Sequence, residues 1–385
     1  MRVTVKQVTT RTGLKRFVHY PNALYKDNKY YVPTLESGDL DALDPKKNHA
    51  FEFCEGQYWL AFDEEGRIVG RIAGIINHRY NEKTGIDYAR FGFMDFIDDD
   101  QVVDALFDTV EAWARSKGMK VMNGPLGFLE FDASGVLVEG FDELPTAYGK
   151  YNFPYYEPQL LRRGYAKDTD WVEYQILMPD DIEEWFRRPA QLIATRYNLH
   201  QADIRSKKQM VSYFPQCAKV LNETYRNIHG FSELSKGQVD DLINQFVPNL
   251  NTDFVSIILD EKDEVVAFGI SIPSLSKALQ KCRGKLFPFG FRHILHALKH
   301  NDTVDLLLIG ISDQYKNKGL NAMIFDRVAP AIHRYGIKYL ESTRELEDNN
   351  SVQNMWNRFE NRLHKRARCY IKTLGLCPNP RASQP

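Results

Sequence analysis

The sequence lacks the features that would place the protein in a membrane or outside the cell. No stretch of the 385 residues approaches the ~20 apolar residues that a membrane-spanning helix needs, and the N-terminus has no apolar segment typical of a signal peptide. The five cysteines are scattered and form no CxxC pair, which argues against a disulfide framework or a zinc site. These absences predict a cytoplasmic protein without a bound metal.

An excess of charge of either sign is also missing. The formal net charge is −1, so the chain offers no broad positive field and no nucleic-acid partner is expected. Any anionic ligand must therefore be held by a local group of donors. Hydrophobic residues make up 43% of the chain, which is ordinary for a globular protein, and the length favours two domains.

An internal repeat organises the chain. Residues 60–75 and 257–272 each read as a β-hairpin, and each is followed by a strand, a polar turn, an amphipathic helix, a glycine and another strand. The second copy carries about 21 extra residues near 276–296. The shared order predicts two domains of one fold, 1–180 and 181–385; a chance match of common units is the alternative. The predicted core faces of the two helices are Val103, Leu106, Val110, Trp113 and Ala114, and Leu320, Met323, Ile324, Val328, Ala331 and Ile332.

The turn before the second of these helices has the properties of an anion site. Residues 311–322 read ISDQYKNKGLNA. A helix N-terminus offers free backbone N–H groups and the positive end of the helix dipole. Gly319 permits a close backbone approach, and Lys316 and Lys318 add positive charge. The predicted ligand is a pyrophosphate or a similar dianion.

The equivalent turn of the first copy, FIDDDQVVDAL, contains no glycine. Asp98, Asp99 and Asp100 can cap the helix that follows and would repel a pyrophosphate, because like charges ~4 Å apart cost roughly 1 kcal/mol in water and ~4 kcal/mol near a protein surface. The first copy is therefore predicted to bind no such ligand. It either shapes an acceptor site or serves as a scaffold.

The turn at 311–322 resembles the pyrophosphate-binding turn of GNAT acyltransferases, V-x-P-x-Y-[RQ]-x-K-G-x-[GA]. The matching residues are Ile311, Tyr315, Lys316 and Gly319; Asp313 replaces the frequent Pro, and Asn321 replaces the second small residue. Residues 347–359 resemble the next helix of the family, with Asn349 and Val352 in register. The resemblance covers most of 196–374 and, more faintly, 57–177. It implies an α/β fold of two tandem GNAT-like domains, each a mixed central sheet flanked by helices, with a degenerate loop in the first.

The resemblance also implies an acyl-coenzyme A donor and an amine acceptor. The residues that would contact coenzyme A are Ile309, Ile311, Lys316, Asn317, Lys318, Gly319, Leu320, Asn321 and Asn349. In the family, an amine attacks the thioester directly, and a carboxylate or an ordered water takes its proton. Glu341 is the first candidate base and Glu345 the second; a surface ion pair with Arg344 is the alternative for Glu341.

The group that would protonate the leaving thiolate differs from the family pattern. The usual Tyr position falls on Trp356, whose indole N–H is too weak an acid. Either Tyr370 or solvent must supply the proton. The alternative for Tyr370 is a plain strand aromatic.

The overall pattern also resembles a tandem bacterial family related to ceramide synthases, which implies a lipid or sphingoid-type amine as acceptor. The insertion at 285–300, KLFPFGFRHILHALKH, either guides such an amine, makes a peripheral contact with an anionic membrane at its inner face, or packs on the core. Two other classes stay open. One is a Fem-like peptidyl transferase that uses aminoacyl-tRNA, and the other is a non-catalytic GNAT-like module, which the departures at Asn321 and Trp356 would suit.

Overall fold

A computed structural model describes residues 2–375 of the chain, apart from the side chains of 350 and 351. It divides into two compact units, unit 1 with Met1–Trp171 and Lys365–Pro385, and unit 2 with Val172–His364. The predicted domains 1–180 and 181–385 stay a prediction. The compact units differ from them chiefly because the chain returns to unit 1 after residue 364.

The helices and strands follow the order that the repeat predicts. Up to the first crossing between units they are β1 Thr4–Gln7, α1 Arg11–Leu24, α2 Glu36–Ala42, β2 Cys54–Phe62, β3 Ile68–Asn77, α3 His78–Thr84, β4 Tyr88–Phe96, α4 Asp100–Ser116, β5 Val121–Gly124, β6 Val136–Glu139, α5 Tyr156–Arg162 and β7 Ala166–Leu177. The remaining elements are α6 Ile182–Tyr197, β8 His200–Gln201, α7 Lys207–Ser212, α8 Phe214–Tyr225, α9 Lys236–Phe246, β9 Val255–Leu259, β10 Val265–Pro273, α10 Ser276–Cys282, α11 Gly290–Ala297, β11 Thr303–Ile311, α12 Asn321–Arg334, β12 Tyr339–Ser342, β13 Glu345–Leu346, α13 Asn350–Trp356 and β14 Asn361–Thr373.

The sheet of unit 1 is mixed. Its strands lie in the order β1-β2-β3-β4-β5, followed by the C-terminal part of β14, and β4 and β5 are parallel. Helix α4 covers this sheet, and all five of its predicted core residues are buried. Asp99 caps α4 by accepting hydrogen bonds from the N–H groups of Gln101 and Val102, which confirms the predicted capping role of the acidic turn.

Unit 2 repeats this arrangement. The C-terminal part of β7 is followed by β12, β11, β10, β9 and β8, and β11 and β12 are the parallel pair. The predicted core face of α12 is buried, beginning with Leu320 immediately before the helix. Gly118 and Gly336 follow the ends of α4 and α12, as predicted, with φ of +78° and +67°. The predicted hairpins correspond to β2–β3 and β9–β10.

The remaining sequence expectations concern membrane helices and cysteines. Within residues 2–375, no helix is both long and apolar enough to span a bilayer. Cys54, Cys217, Cys282 and Cys369 are buried free thiols, and Cys377 lies outside the described residues.

Replacing Leu106 by Ala should test the packing of α4. Leu106 is fully buried between α4 and the sheet of unit 1, so its truncation leaves a cavity and should lower the free energy of unfolding by about 2–5 kcal/mol. Chemical unfolding followed by circular dichroism measures this change. The control is Leu161→Ala at an exposed position of α5, which should change stability by less than about 0.5 kcal/mol. Equal losses in both variants would contradict the proposed core.

Candidate active site

In unit 2, the parallel strands β11 and β12 pair only over their first residues. Thr303 to Leu306 pair with Tyr339 to Ser342, where β12 ends, whereas β11 continues to Ile311. The N–H of Ser312 donates to the carbonyl of Val266 near the start of β10. Because successive N–H groups along a strand point in opposite directions, those of Ile309 and Ile311 face the side that β12 has left.

The open edge of β11, where β12 no longer pairs with the strand, is centred on Ile309. The carbonyl of Ile311 accepts a hydrogen bond of 3.1 Å from Thr224 Oγ1, and that of Leu307 accepts one of 3.5 Å from Thr343 Oγ1. Ile309 lies between these two residues, whose carbonyl groups already accept side-chain hydrogen bonds. Its N–H and C=O can therefore receive a ligand that carries amide groups, as an added strand would.

The turn between β11 and α12 presents unused backbone donors. Within residues 2–375, the N–H groups of Asn317, Gly319, Leu320 and Asn321 have no hydrogen-bond partner. Leu320 stands at the N-cap of α12 and provides no side-chain cap. Unused amides beside the positive end of a helix dipole are the features that an anion site requires; the anion site itself stays a prediction.

The conformation and surroundings of the turn keep it accessible. Gly319 is exposed and has φ of +81°, a region that favours glycine, and a Cβ there would lie 3.0 Å from Ile193 Cδ1. The ammonium group of Lys318 lies 5.1 Å from the ring centre of Tyr197 and 5.2 Å from that of Tyr315. The two rings hold this cation beside the turn. Lys316 is exposed and has no ion-pair partner among the described residues.

Asn321 departs from the family pattern without blocking the turn. Its Nδ2 lies 2.6 Å from Met355 Sδ, and its Oδ1 is buried with no partner among the described residues. The side chain is therefore directed toward α13. Asn349 stands at the start of α13, where its carbonyl accepts from the N–H groups of Val352 and Gln353.

The corresponding region of unit 1 is closed by the chain itself. The N–H of Leu126 donates to the carbonyl of Phe91 on β4 at 2.8 Å. Further along β4, the N–H of Phe96 donates to Tyr156 Oη, and its carbonyl accepts from Tyr155 Oη at 2.6 Å. In unit 1, both backbone groups of Phe96 at the end of β4 are thus occupied, in addition to the capped helix start.

Glu341 lies on β12 and is buried. One of its carboxylate oxygens accepts a 2.7 Å hydrogen bond from Gln175 Nε2, and the other lies 2.8 Å from His364 Nε2. Arg344 lies instead 3.8 Å from Glu173. The burial of Glu341 does not fit the alternative of an ion pair on the surface.

Glu345 has the most distinctive electrostatic environment of the candidate carboxylates. Its Oε1 accepts a 2.8 Å hydrogen bond from Trp356 Nε1, and its Oε2 is buried with no hydrogen-bond partner among the described residues. Burial raises the pKa of Glu345 to about 7, although the Trp356 indole and the Ser342 hydroxyl lower it; the charge of Glu173 raises it further. A carboxylate with this pKa is suited to accept a proton at neutral pH.

Tyr370, the candidate acid, lies on the part of β14 that belongs to unit 1, and its role as an acid stays a prediction. It belongs to unit 1, where it is fully buried, pairs with Gly124 of β5 and donates a 2.8 Å hydrogen bond to Glu157. Burial and the neighbouring Glu157 raise the pKa of Tyr370 well above its usual range. These contacts correspond to the alternative of a strand aromatic. The sequence alone could not assign Tyr370 to a unit, because only the structure shows that the chain has returned to unit 1 at this residue.

Comparison with known proteins identifies the fold. No protein-family model matches the chain. It is 27% identical to protein YghO of Escherichia coli, over 96% of this chain and 95% of that protein, and 29% identical to bacterial ceramide synthase of Caulobacter vibrioides, over 84% of each. Among solved structures, a tandem GNAT protein from the clavulanic acid biosynthesis pathway matches with a TM-score of 0.55 and 11% identity, over 97% of this chain and 99% of that chain. The predicted tandem GNAT fold is confirmed.

Replacing Glu345 by Gln should change how stability depends on pH. The folded-state pKa of Glu345 is raised from 4.5 to about 7. The stability that this side chain contributes to the folded protein is therefore fully present below pH ~4.5 and is lost as the pH rises through ~7. The variant should therefore gain up to about 3 kcal/mol relative to the wild type between these limits. Thermal unfolding across this pH range measures the difference. Glu360→Gln, at an exposed position, controls for loss of a carboxylate. If the stability–pH curves of Glu345→Gln and the wild type run parallel, the raised pKa of Glu345 is excluded.

Proposed function

We propose that this tandem GNAT-fold protein is an acyl-coenzyme A-dependent N-acyltransferase whose donor binds in unit 2. The observation that carries the proposal is the group of four unused N–H donors at the start of α12, beside the open edge of β11. The fold and the sequence relation to bacterial ceramide synthase support an N-acyltransferase.

The proposed donor matches the two parts of the site. The pyrophosphate of coenzyme A accepts hydrogen bonds from the turn, and Lys316 and Lys318 offset its charge. The amide groups of the pantetheine arm pair with the backbone of Ile309 at the open edge. Unit 1 offers neither part, since Asp99 caps its helix and Leu126 closes its strands. One donor therefore binds per chain.

In the proposed reaction, the acceptor amine attacks the carbonyl carbon of the thioester. The new C–N bond forms, the C–S bond breaks, and the coenzyme A thiolate leaves. Glu345 Oε2 takes the proton that the amine nitrogen loses, because this atom is unpartnered and the carboxylate titrates near neutral pH. Trp356 holds the other oxygen of Glu345 in place, and solvent protonates the thiolate. Glu341, bound by Gln175, is the other candidate base.

A hydrophobic amine is the proposed acceptor. Two observations support this class over a small polar amine. The name of the bacterial relative refers to a lipid amide, and the insertion between β10 and β11 exposes several phenylalanines. A long-chain amine would bring its apolar chain to such a surface while its amino group reaches the carboxylates. Co-purified lipid or acyl-coenzyme A, identified by mass spectrometry, would define the acceptor and the acyl length.

Replacing Gly319 by Asp should abolish binding of coenzyme A. The new side chain requires an unfavourable φ, meets Ile193 and places negative charge against the pyrophosphate. Isothermal titration calorimetry of the full chain should give one site for the wild type and none for the variant.

Two controls separate this effect from misfolding. Gly336→Asp introduces the same change at a positive φ in open space beyond α12, and Asp99→Ala removes the cap of α4; both should retain wild-type affinity. Two sites per chain, or wild-type affinity in Gly319→Asp, would contradict the assignment. No binding to the wild type would favour an aminoacyl-tRNA-dependent or non-catalytic protein.

Replacing the base by its amide should slow the reaction without weakening donor binding. Glu345→Gln is expected to lower turnover by ~10²–10⁴-fold and to remove a rise of kcat/KM with pH centred near 7. Glu341→Gln is the matched comparison, since Glu341 is the other candidate base and is also buried. A large loss in Glu341→Gln together with an unchanged pH profile in Glu345→Gln would transfer the role to Glu341.

A further inference from the structure

The insertion between β10 and β11 forms an exposed apolar surface. Helices α10 and α11 pack together, and α11 buries Ile294 and Ala297 on its inner side. The opposite side and the preceding loop carry the aromatic tip, defined here as Phe287, Phe289, Phe291 and Leu295. Their exposed fractions are 79%, 64%, 38% and 54%. Packing on the core therefore accounts for one side of α11 only.

The aromatic tip is a connected surface. The ring centres of Phe287 and Phe291 lie 6.2 Å apart, and Leu295 follows Phe291 by one helical turn. The guanidinium of Arg292 lies 5.4 Å from the ring centre of Phe289, so positive charge borders the apolar side chains directly. Large apolar side chains grouped in this way mark an interaction surface.

The charged residues of the insertion itself are all of one sign. Residues 265–301 contain no Asp or Glu. Five cations of this segment are exposed and have no ion-pair partner among the described residues: Lys281, Arg283, Lys285, Arg292 and Lys299. Lys277, by contrast, lies 3.7 Å from Asp302. The surface is thus complementary to something both apolar and anionic.

We infer that the aromatic tip inserts into the surface of an anionic lipid bilayer while the surrounding cations contact its headgroups. Phenylalanines at the boundary of the acyl chains supply the apolar contact, and each nearby Lys or Arg adds attraction to anionic lipids. A second copy of this chain fits less well, because pairing two tips would bring unpaired cations of like sign together. The inference does not depend on the proposed reaction, since docking requires no acyl donor.

Co-sedimentation of the full chain with vesicles tests this inference. The wild type should bind vesicles of equal parts phosphatidylglycerol and phosphatidylcholine, and should stay in solution with phosphatidylcholine alone. Replacing both Phe287 and Phe289 by Ser should weaken binding by about 100-fold or more, because each ring contributes about tenfold when buried. Lys285→Gln should weaken it about fivefold, and added salt should weaken the wild type. Leu192→Ser, which removes an exposed leucine of α6, is the matched control and should bind as the wild type does.

Two further measurements distinguish lipid from the alternatives, which are internal packing of the aromatic tip and contact with a second copy of this chain. The double Phe variant should keep the melting temperature and the coenzyme A affinity of the wild type; a melting temperature lowered as in a core variant would show that the rings pack internally and would overturn the inference. Sedimentation velocity of the wild type without lipid should give a mass that does not depend on the tip, and a dimer lost in the double variant would assign the surface to a second copy instead. A wild type that ignores anionic vesicles would also overturn it, while leaving the transfer reaction to be tested by donor binding.

Discussion

The parting of β11 and β12 is the constraint on which the candidate site depends. Backbone N–H and C=O groups within a sheet need partners, and a strand that loses its neighbour must receive another one. In unit 1, the N–H of Leu126 and the hydroxyls of Tyr155 and Tyr156 supply the partners of β4. In unit 2, Ile309 keeps its open edge, and the turn that follows keeps its free amides. Within the described residues, the same fold thus has hydrogen-bond partners for the end of β4 in unit 1 and leaves backbone groups of β11 without them in unit 2.

The start of the helix after the parted strands shows the same specialisation. Asp99 caps α4 with its own carboxylate and brings negative charge to the positive end of the helix dipole. Leu320 at the N-cap of α12 does neither, and its side chain is buried instead. A helix whose first amides are uncapped is more stable when an anion occupies them. The proposed donor would therefore stabilise unit 2 when it binds, whereas the start of α4 in unit 1 is already capped.

In the proposed reaction, the buried carboxylates of unit 2 supply the base. Asp305 and Glu341 stand in register on the parallel pair, Gln175 stands beside Glu341 on β7, and Glu345 follows the end of β12. Burial is the main cause that raises the pKa of Glu345 toward neutrality, and the charge of Glu173 raises it further. Trp356 stands where the family has a tyrosine and donates a hydrogen bond to Glu345. In the proposed mechanism, this position therefore orients the base instead of supplying the acid.

The sequence by itself determined the repeat and the fold, and it located the turn between β11 and α12, because hydrophobic periodicity and a glycine between strand and helix are local signals. It assigned the core faces of α4 and α12 correctly for the same reason. It could not place Tyr370, since only the tertiary structure shows that the chain re-enters unit 1 before this residue. Nor could it rank Glu345 above Glu341: a pKa depends on burial and on partners such as Trp356, and these are set by the packing of residues that the sequence pattern does not relate to each other.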